Sequence, residues 1–240
     1  MESLPFAYKF VALAVMLAEL NFAADQLRLS LNHPVTERDL KMELVLDPRK
    51  MPFSGRLDTE QYSFSIGEGY LRFITNLKEN RGELSMREYN ERLSKSKPAI
   101  DSNQAYLIAK GWLKAMEVDV DTLEKDHPPR SEQRFFYSDG MTRTYLPVFD
   151  VEWGQPARPA VRVSLNGATT NLLYLRQENT SYSRRHALGI KEFEKLLAIS
   201  NDEFLKYTTE ERSNLLAQFT VDLHFLPAKP HPCSQRWPLR

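Results

Sequence analysis

Two stretches of this chain alternate apolar and polar residues with the period of a β-strand, and each runs through a glycine turn into a second apolar strand. In the first, Tyr62, Phe64 and Ile66 alternate with Ser63 and Ser65, and Gly67-Glu68-Gly69 leads into Tyr70–Leu77. In the second, Val161, Val163 and Leu165 alternate and run into Asn166-Gly167, with a return strand over 169–176. Period two sends successive side chains to opposite faces, so such strands need a core on one side and water on the other. An antiparallel sheet covered on one face meets that need. Asn-Gly between alternating runs is the strongest short hairpin signal in the chain.

The two stretches align without gaps. Tyr62 falls against Val161, Ser65 against Ser164, Ile66 against Leu165, and Glu79-Asn80 against Glu178-Asn179. Upstream, Ala7-Tyr8 matches Ala105-Tyr106 and Glu19 matches Glu117 at nearly the same spacing. The order helix, proline-containing polar linker and hairpin occurs twice, which predicts a duplicated unit of about 100 residues, an ordinary domain size.

The helix of the first unit is the most apolar stretch, Phe10–Ala18. Phe6, Phe10, Leu13, Ala14, Leu17 and Ala18 form one stripe at helical spacing and are the predicted buried face, with Lys9, Glu19 and Asp25 off it or beyond it. The stretch is too short to span a bilayer. The other reading is the apolar region of a secretory signal, but Glu2 and a single Lys9 precede it and no small-x-small cleavage site follows at a convincing distance. A match to Ile108–Met116 through the repeat predicts a core helix in place of a cleaved signal.

Between the helix and the first hairpin, Pro34, Pro48 and Pro52 frame a helical turn at Thr36–Lys41 and a strand around Met42–Leu46. Ser85 with Glu88 and Asp101 with Gln104 are capping boxes. They predict a polar helix to about Ser96 and a helix over 102–117 that buries Tyr106, Ala109, Leu113 and Met116. Asp121 and Glu124 start a further turn. After Pro128-Pro129 come a strand at Arg134–Ser138, an Asp139-Gly140 turn, and a strand over Tyr145–Trp153 with Phe149, Val151 and Trp153 on one face. Helices are predicted at Lys191–Ile199 and Thr209–Thr220. The last residues hold Pro227, Pro230, Pro232 and Pro238 and read as an extended or disordered tail. The fold class is α+β: two tandem units of one helix packed on an antiparallel sheet (1–97 and 98–182), a helical extension (183–222) and the tail (223–240).

The helix Ala105-Tyr106-Leu107-Ile108-Ala109 through Trp112-Leu113, the strand Val148–Trp153 and the hairpin Val161–Leu175 resemble PepSY-like and cystatin-like domains. The resemblance is strongest over 101–176 and weaker in the first half. It implies small secreted or cell-envelope domains, some proposed to bind or inhibit peptidases, and it carries no catalytic residues. An extracytoplasmic location is implied by the resemblance alone.

Composition closes off several chemistries. Lys+Arg and Asp+Glu both number 32, so no basic surplus exists for neutralising nucleic-acid phosphates. The single cysteine excludes an internal disulfide and a Cys-rich zinc motif. Cys233 and His231 sit in the tail, where no held base or further ligand is expected. His33, His127, His186 and His224 form no helical zinc pair. The acidic run Glu117, Asp119, Asp121, Glu124 and Asp126 lacks the glycine and final glutamate of an EF-hand, and reads as a helix end followed by an N-cap at Asp121. No nucleophile elbow or phosphate-binding glycine loop occurs, since Gly67-Glu68-Gly69 lies between strands.

Tyr182, Arg184, Arg185 and His186 read as a surface link, and Asn179-Thr180-Ser181 matches a glycosylation acceptor. The aromatics Phe135, Phe136, Tyr137, Tyr145, Phe149 and Trp153 read as core or cross-strand packing, some of them able to line a peptide-binding face. The expectation is therefore a non-enzymatic binding or inhibitory protein without cofactor, metal or catalytic residues, whose partner is a protein or peptide held on an open sheet face or edge. The alternative is a small-ligand carrier or an enzyme of unrecognised type using a helix–sheet pocket. A third reading is an oligomerisation module.

Overall fold

A computed structural model describes residues 4–31, 33–39, 55–67, 70–79, 84–138, 140–155, 157–178, 182–183 and 190–220. The expected strand at Met42–Leu46, the residues Arg184, Arg185 and His186, the glycosylation motif, and the tail with His224, His231 and Cys233 lie outside them.

Helix α1 (Phe6–Gln26) is followed by strands β1 (Gly55–Asp58), β2 (Tyr62–Gly67) and β3 (Tyr70–Asn76). Helices α2 (Met86–Leu93), α3 (Ser102–Ala115) and α4 (Val120–Asp126) come next. Strands β4 (Pro129–Tyr137), β5 (Arg143–Gln155), β6 (Arg158–Asn166) and β7 (Leu172–Gln177) complete the sheet. Helices α5 (Ile190–Ala198), α6 (Asn201–Lys206) and α7 (Thr209–Thr220) end the described chain. The protein is α+β, as its patterning predicts, and the seven strands among the described residues form one antiparallel sheet in the order β1-β2-β3-β7-β6-β5-β4.

Both capping boxes form. The Ser85 hydroxyl accepts from the Glu88 N–H and the Glu88 carboxylate accepts from the Ser85 N–H; Asp101 and Gln104 do the same at α3. The cap of α4 is Asp119, not Asp121: its carboxylate accepts from the Thr122 N–H at 3.2 Å. The chain leaves α3 through Glu117 at φ 58°, which brings Asp119 to the start of the next helix two residues earlier than the acidic pattern suggests. Ser200 caps α6, a helix the sequence reading left out.

The alternating strands bury one face. Phe64 and Ile74, Val163 and Leu175, and Phe149, Val151 and Trp153 meet Ala105, Ala109, Leu113 and Met116 of α3 in a single core. The second half of α1 joins it through Met16, Leu20, Ala23 and Leu27. The first half does not: Ala7, Tyr8, Val11, Ala12 and Val15 pack against Leu196, Phe204, Leu215 and Phe219 of the C-terminal helices. In α3 the sheet contact spans Ala105–Met116, whereas the Ala7-Tyr8 end matched to it by sequence faces the C-terminal helices.

The predicted buried stripe of α1 is corrected. Phe6 is 41% exposed, and Phe10, Leu13, Ala14 and Leu17 are only partly covered, while Ala18 is exposed. The neighbouring stripe of Ala7, Val11, Val15 and Met16 is the buried one. The helix is apolar nearly all round, so periodicity cannot choose a face, and two partners on different sides decide it. Even Glu19 is buried, its carboxylate accepting the Leu71 N–H at 3.1 Å. By length and composition α1 is able to cross a membrane, yet half of its apolar window is covered inside this fold.

The Asn166-Gly167 turn is also corrected. It opens a loop over 167–171, not a two-residue hairpin. The Asn166 side chain accepts from the Ala168 N–H at 2.9 Å, and the left-handed residue is Thr170 at φ 59°. Gly167 serves close approach. Its N–H donates to Pro147 O and its carbonyl accepts from the Ala99 N–H, and a Cβ there would lie 2.5 Å from the Phe149 ring. Gly167→Ala is expected to lower stability by about 1–3 kcal/mol, the usual penalty of overpacking. Gly111→Ala, on the exposed side of α3 with nothing within 4 Å, is expected to raise it by about 0.5–1 kcal/mol. Urea unfolding midpoints at constant m-value check both.

Candidate functional site

Strand alternation puts Asp150 and Glu152 on the sheet face opposite the helical core, where they organise a ladder of ion pairs. Arg134 on β4 donates to Asp150 through Nε at 3.0 Å and Nη2 at 2.7 Å, and Ser164 on β6 donates to the same carboxylate. Glu152 is held between Arg130 at 2.5 Å and Arg162. Burial works against the charge of Arg134, and the Asp150 carboxylate outweighs it, so the guanidinium stays protonated more firmly than usual. Further along this face, Leu146, Val148 and Leu173 form an apolar patch with Leu93 and Phe136.

Helix α2 stands at the rim of this face. A cleft of about 200 Å³ lies between it and strands β3, β6 and β7. Tyr89 reaches from α2 to donate its hydroxyl to Glu79 O at 3.1 Å, and burial pushes that phenol's pKa up. The Glu79 carboxylate accepts from the side-chain amides of Asn166 at 3.0 Å and Asn171 at 2.6 Å.

The other outward feature is the β4–β5 ribbon. β4 ends the sheet among the described residues, with a register irregularity between Gln133 and Phe135. Beyond that point Phe135, Tyr137 and Tyr145 are 39%, 51% and 55% exposed. Phe135 meets Tyr137 edge-on at 5.6 Å and Tyr145 at 5.9 Å, and the Arg143 guanidinium lies 4.7 Å from the Phe135 ring centre. The aromatic run therefore divides. Phe149 and Trp153 are core, Phe136 packs on the apolar patch, and the other three form an exposed cluster. A signal for this was present: Arg130–Gln133 has no apolar alternation, as expected of a strand with little to bury.

The acidic run disperses. Asp119 is the cap, Asp126 accepts from the Tyr182 hydroxyl at 3.1 Å, and Asp121 lies 3.9 Å from Lys114. Glu124 joins a cluster with α3, accepting from Lys110 Nζ and from the Tyr106 hydroxyl, each at 2.6 Å. Among the described residues no three His, Cys, Asp or Glu side chains gather as a metal site. His33 contacts Pro34 O and His127 packs edge-on to Tyr182. Tyr182 itself is tied to α4, since its carbonyl also accepts the Asp119 N–H at 2.7 Å.

Burial opposes the charge of Glu124, and the hydrogen bonds from Lys110 and Tyr106 outweigh it, so the carboxyl titrates below its ordinary 4.5. A depressed folded-state pKa contributes stability above pH 4.5 that is lost as pH falls through the lower value. Glu124→Gln is expected to be less stable at neutral pH and to show a shallower loss below pH 4.5 than the parent chain, measured by urea unfolding across pH. Compared with known proteins, the chain matches no family model, no curated protein and no solved structure.

Proposed function

We propose that this chain is a non-enzymatic binding or inhibitory protein of the PepSY/cystatin-like kind, which takes an extended protein or peptide segment on the free edge of β4. The observation that carries the reading is the combination of a terminal strand, Pro129–Tyr137, with the exposed Phe135–Tyr137–Tyr145 cluster at its end. A free edge supplies main-chain donors and acceptors to an added strand, and side-chain pockets beside it select the sequence. Aromatic rings give large contact area at low entropic cost.

The rest of β4 restrains unselective pairing. Pro129, the register irregularity and the charges of Arg130, Glu132 and Arg134 are devices that keep an edge from joining any passing strand. A segment that docks here carries an aromatic or aliphatic residue for the cluster and charges that complement the Arg–Glu–Arg alternation. The duplicated-unit reading has support of its own: the two hairpins that match in sequence lie side by side, β2–β3 against β7–β6. The extracytoplasmic location rests on the family resemblance alone.

Selection of a random displayed-peptide library on the full chain tests this. Enriched peptides are expected to shift backbone amide resonances within 129–137 and 143–145. Phe135→Ser is expected to weaken them by about tenfold or more, the cost of losing an aromatic anchor. Leu107→Ser, on the exposed side of α3, leaves binding unchanged. Peptides that map elsewhere, or that bind the Phe135→Ser chain equally well, would overturn the reading.

A further inference from the structure

We propose that the cleft beneath α2 is a binding site for a monocarboxylate with a small apolar body. It lies on the ion-pair face of the sheet, and the proposal does not depend on the β4 edge.

The donors and acceptors lining the cleft are unequally used. Asp150 already accepts two bonds from Arg134 and one from Ser164, and Glu79 already accepts from Asn166 and Asn171. The acceptors are thus occupied by groups of the fold itself. The donors are not. Arg162 engages Glu152 through Nη2 and its Nε is buried with no hydrogen-bond partner, so the donor it can offer a ligand is Nη1. Arg134 uses Nε and Nη2 on Asp150. Its remaining Nη1 is a further donor, because a guanidinium carries N–H groups on all three nitrogens. The hydroxyls of Thr75 and Tyr174 complete the set, and these two residues face each other across the β3–β7 pairing.

A ligand that only accepts hydrogen bonds fits this imbalance, and a planar carboxylate matches a guanidinium edge. Charge narrows the choice further. The cleft holds Arg134 and Arg162, with Glu79 in its lining and Asp150 and Glu152 paired to the two arginines. Arg130 also holds Glu152, so three guanidinium groups balance three carboxylates, and a singly charged ligand is opposed less there than a doubly charged phosphate. At about 200 Å³ the cleft is smaller than a drug-sized pocket. Leu173 and the ring of Tyr174 offer an apolar wall to what the carboxylate carries. The same chemistry belongs to a free small acid and to the C-terminal residue of a peptide.

The test is a titration of the full chain, followed at the arginine Nε–H resonances. The probes are N-acetyl-leucine, N-acetyl-leucinamide, inorganic phosphate, and one pentapeptide ending in leucine with a free or an amidated C-terminus. N-acetyl-leucine is expected to shift the Arg162 Nε–H and to saturate by about 10 mM, a weak single-group affinity. The amide is not expected to shift it. Arg162→Lys keeps the charge beside Glu152 but loses the planar edge, and is expected to weaken binding at least about tenfold. Tyr174→Phe removes only a hydroxyl and is expected to weaken it about threefold, the scale of one modest hydrogen bond. A free-ended pentapeptide that binds more tightly than N-acetyl-leucine at the same residues assigns the site to peptide termini, and equal or weaker binding assigns it to small acids. Phe135→Ser leaves every arm unchanged, so loss of the edge reading is separable from loss of this one. Equal response to acid and amide, tighter binding of phosphate, full affinity in the Tyr174→Phe chain, or no shift of Arg162 Nε–H would overturn the proposal.

Discussion

Three residue pairs join the two halves of the sheet: Phe73 with Arg176, Ile74 with Leu175, and Thr75 with Tyr174. Without the β3–β7 pairing, β1–β3 and β4–β7 would be separate ribbons, each with an additional open edge. With it, the inward residues of both hairpins share one core, and α1 and α3 lie on the same face. Bonds around the pairing reinforce it. The Asn76 amide donates to Leu172 O at 3.2 Å, and Arg72 Nη1 donates to Glu178 O at 2.9 Å. Glu79 ties the end of β3 to both sides of the β6–β7 loop through Asn166 and Asn171. The cleft beneath α2 is a product of the same junction, since Thr75 and Tyr174 are one of its three pairs.

What was legible in the sequence is what local chemistry dictates. Ser85–Glu88 and Asp101–Gln104 place helix starts because their side chains meet backbone groups three residues away. Phe149, Val151 and Trp153, or Val161, Val163 and Leu165, announce a buried sheet face because alternation is a property of the strand alone. Most of the failures are choices made by distant partners, whereas the cap at Asp119 turns on the local backbone of Glu117. The buried face of α1 is set by residues in β3 and α5–α7. Gly167 looks like a tight-turn residue, and its requirement comes instead from the ring of Phe149. Phe135 and Phe136 are adjacent and chemically identical, yet one is exposed and the other packed, because neighbours on a strand point to opposite faces and only Phe136 meets the patch of Leu146, Val148 and Leu173. The arginine donors lining the cleft were the least visible. Arg162 and Arg134 acquire meaning only when Asp150 and Glu152 are known to lie on the neighbouring strand.

The charge balance has a structural form. The equal numbers of acidic and basic residues are not spread as isolated solvated groups over this face. Arg130, Glu152 and Arg162 form one cross-strand row, and Arg134, Asp150 and Ser164 form the next. A face built in this way offers little net field to a polyanion and fixes guanidinium edges in definite directions. A ligand recognised there, as proposed, would be selected by geometry more than by long-range attraction.

The clamping of α1 by α5–α7 has a consequence for synthesis. The Phe6 N–H donates to Asn201 Oδ1 at 2.8 Å across a separation of 195 residues, and the apolar flank Ala7–Val15 finds its partners only in α5–α7. A ribosome adding roughly 5–20 residues per second leaves that flank without its cover for about ten seconds or more. During that interval the emerging helix presents an apolar surface long enough to interest a chaperone or a membrane-targeting factor. Folding of α1 is therefore completed by helices far downstream, and a chain lacking α5–α7 keeps the sheet-facing contacts of α1 while exposing its first half.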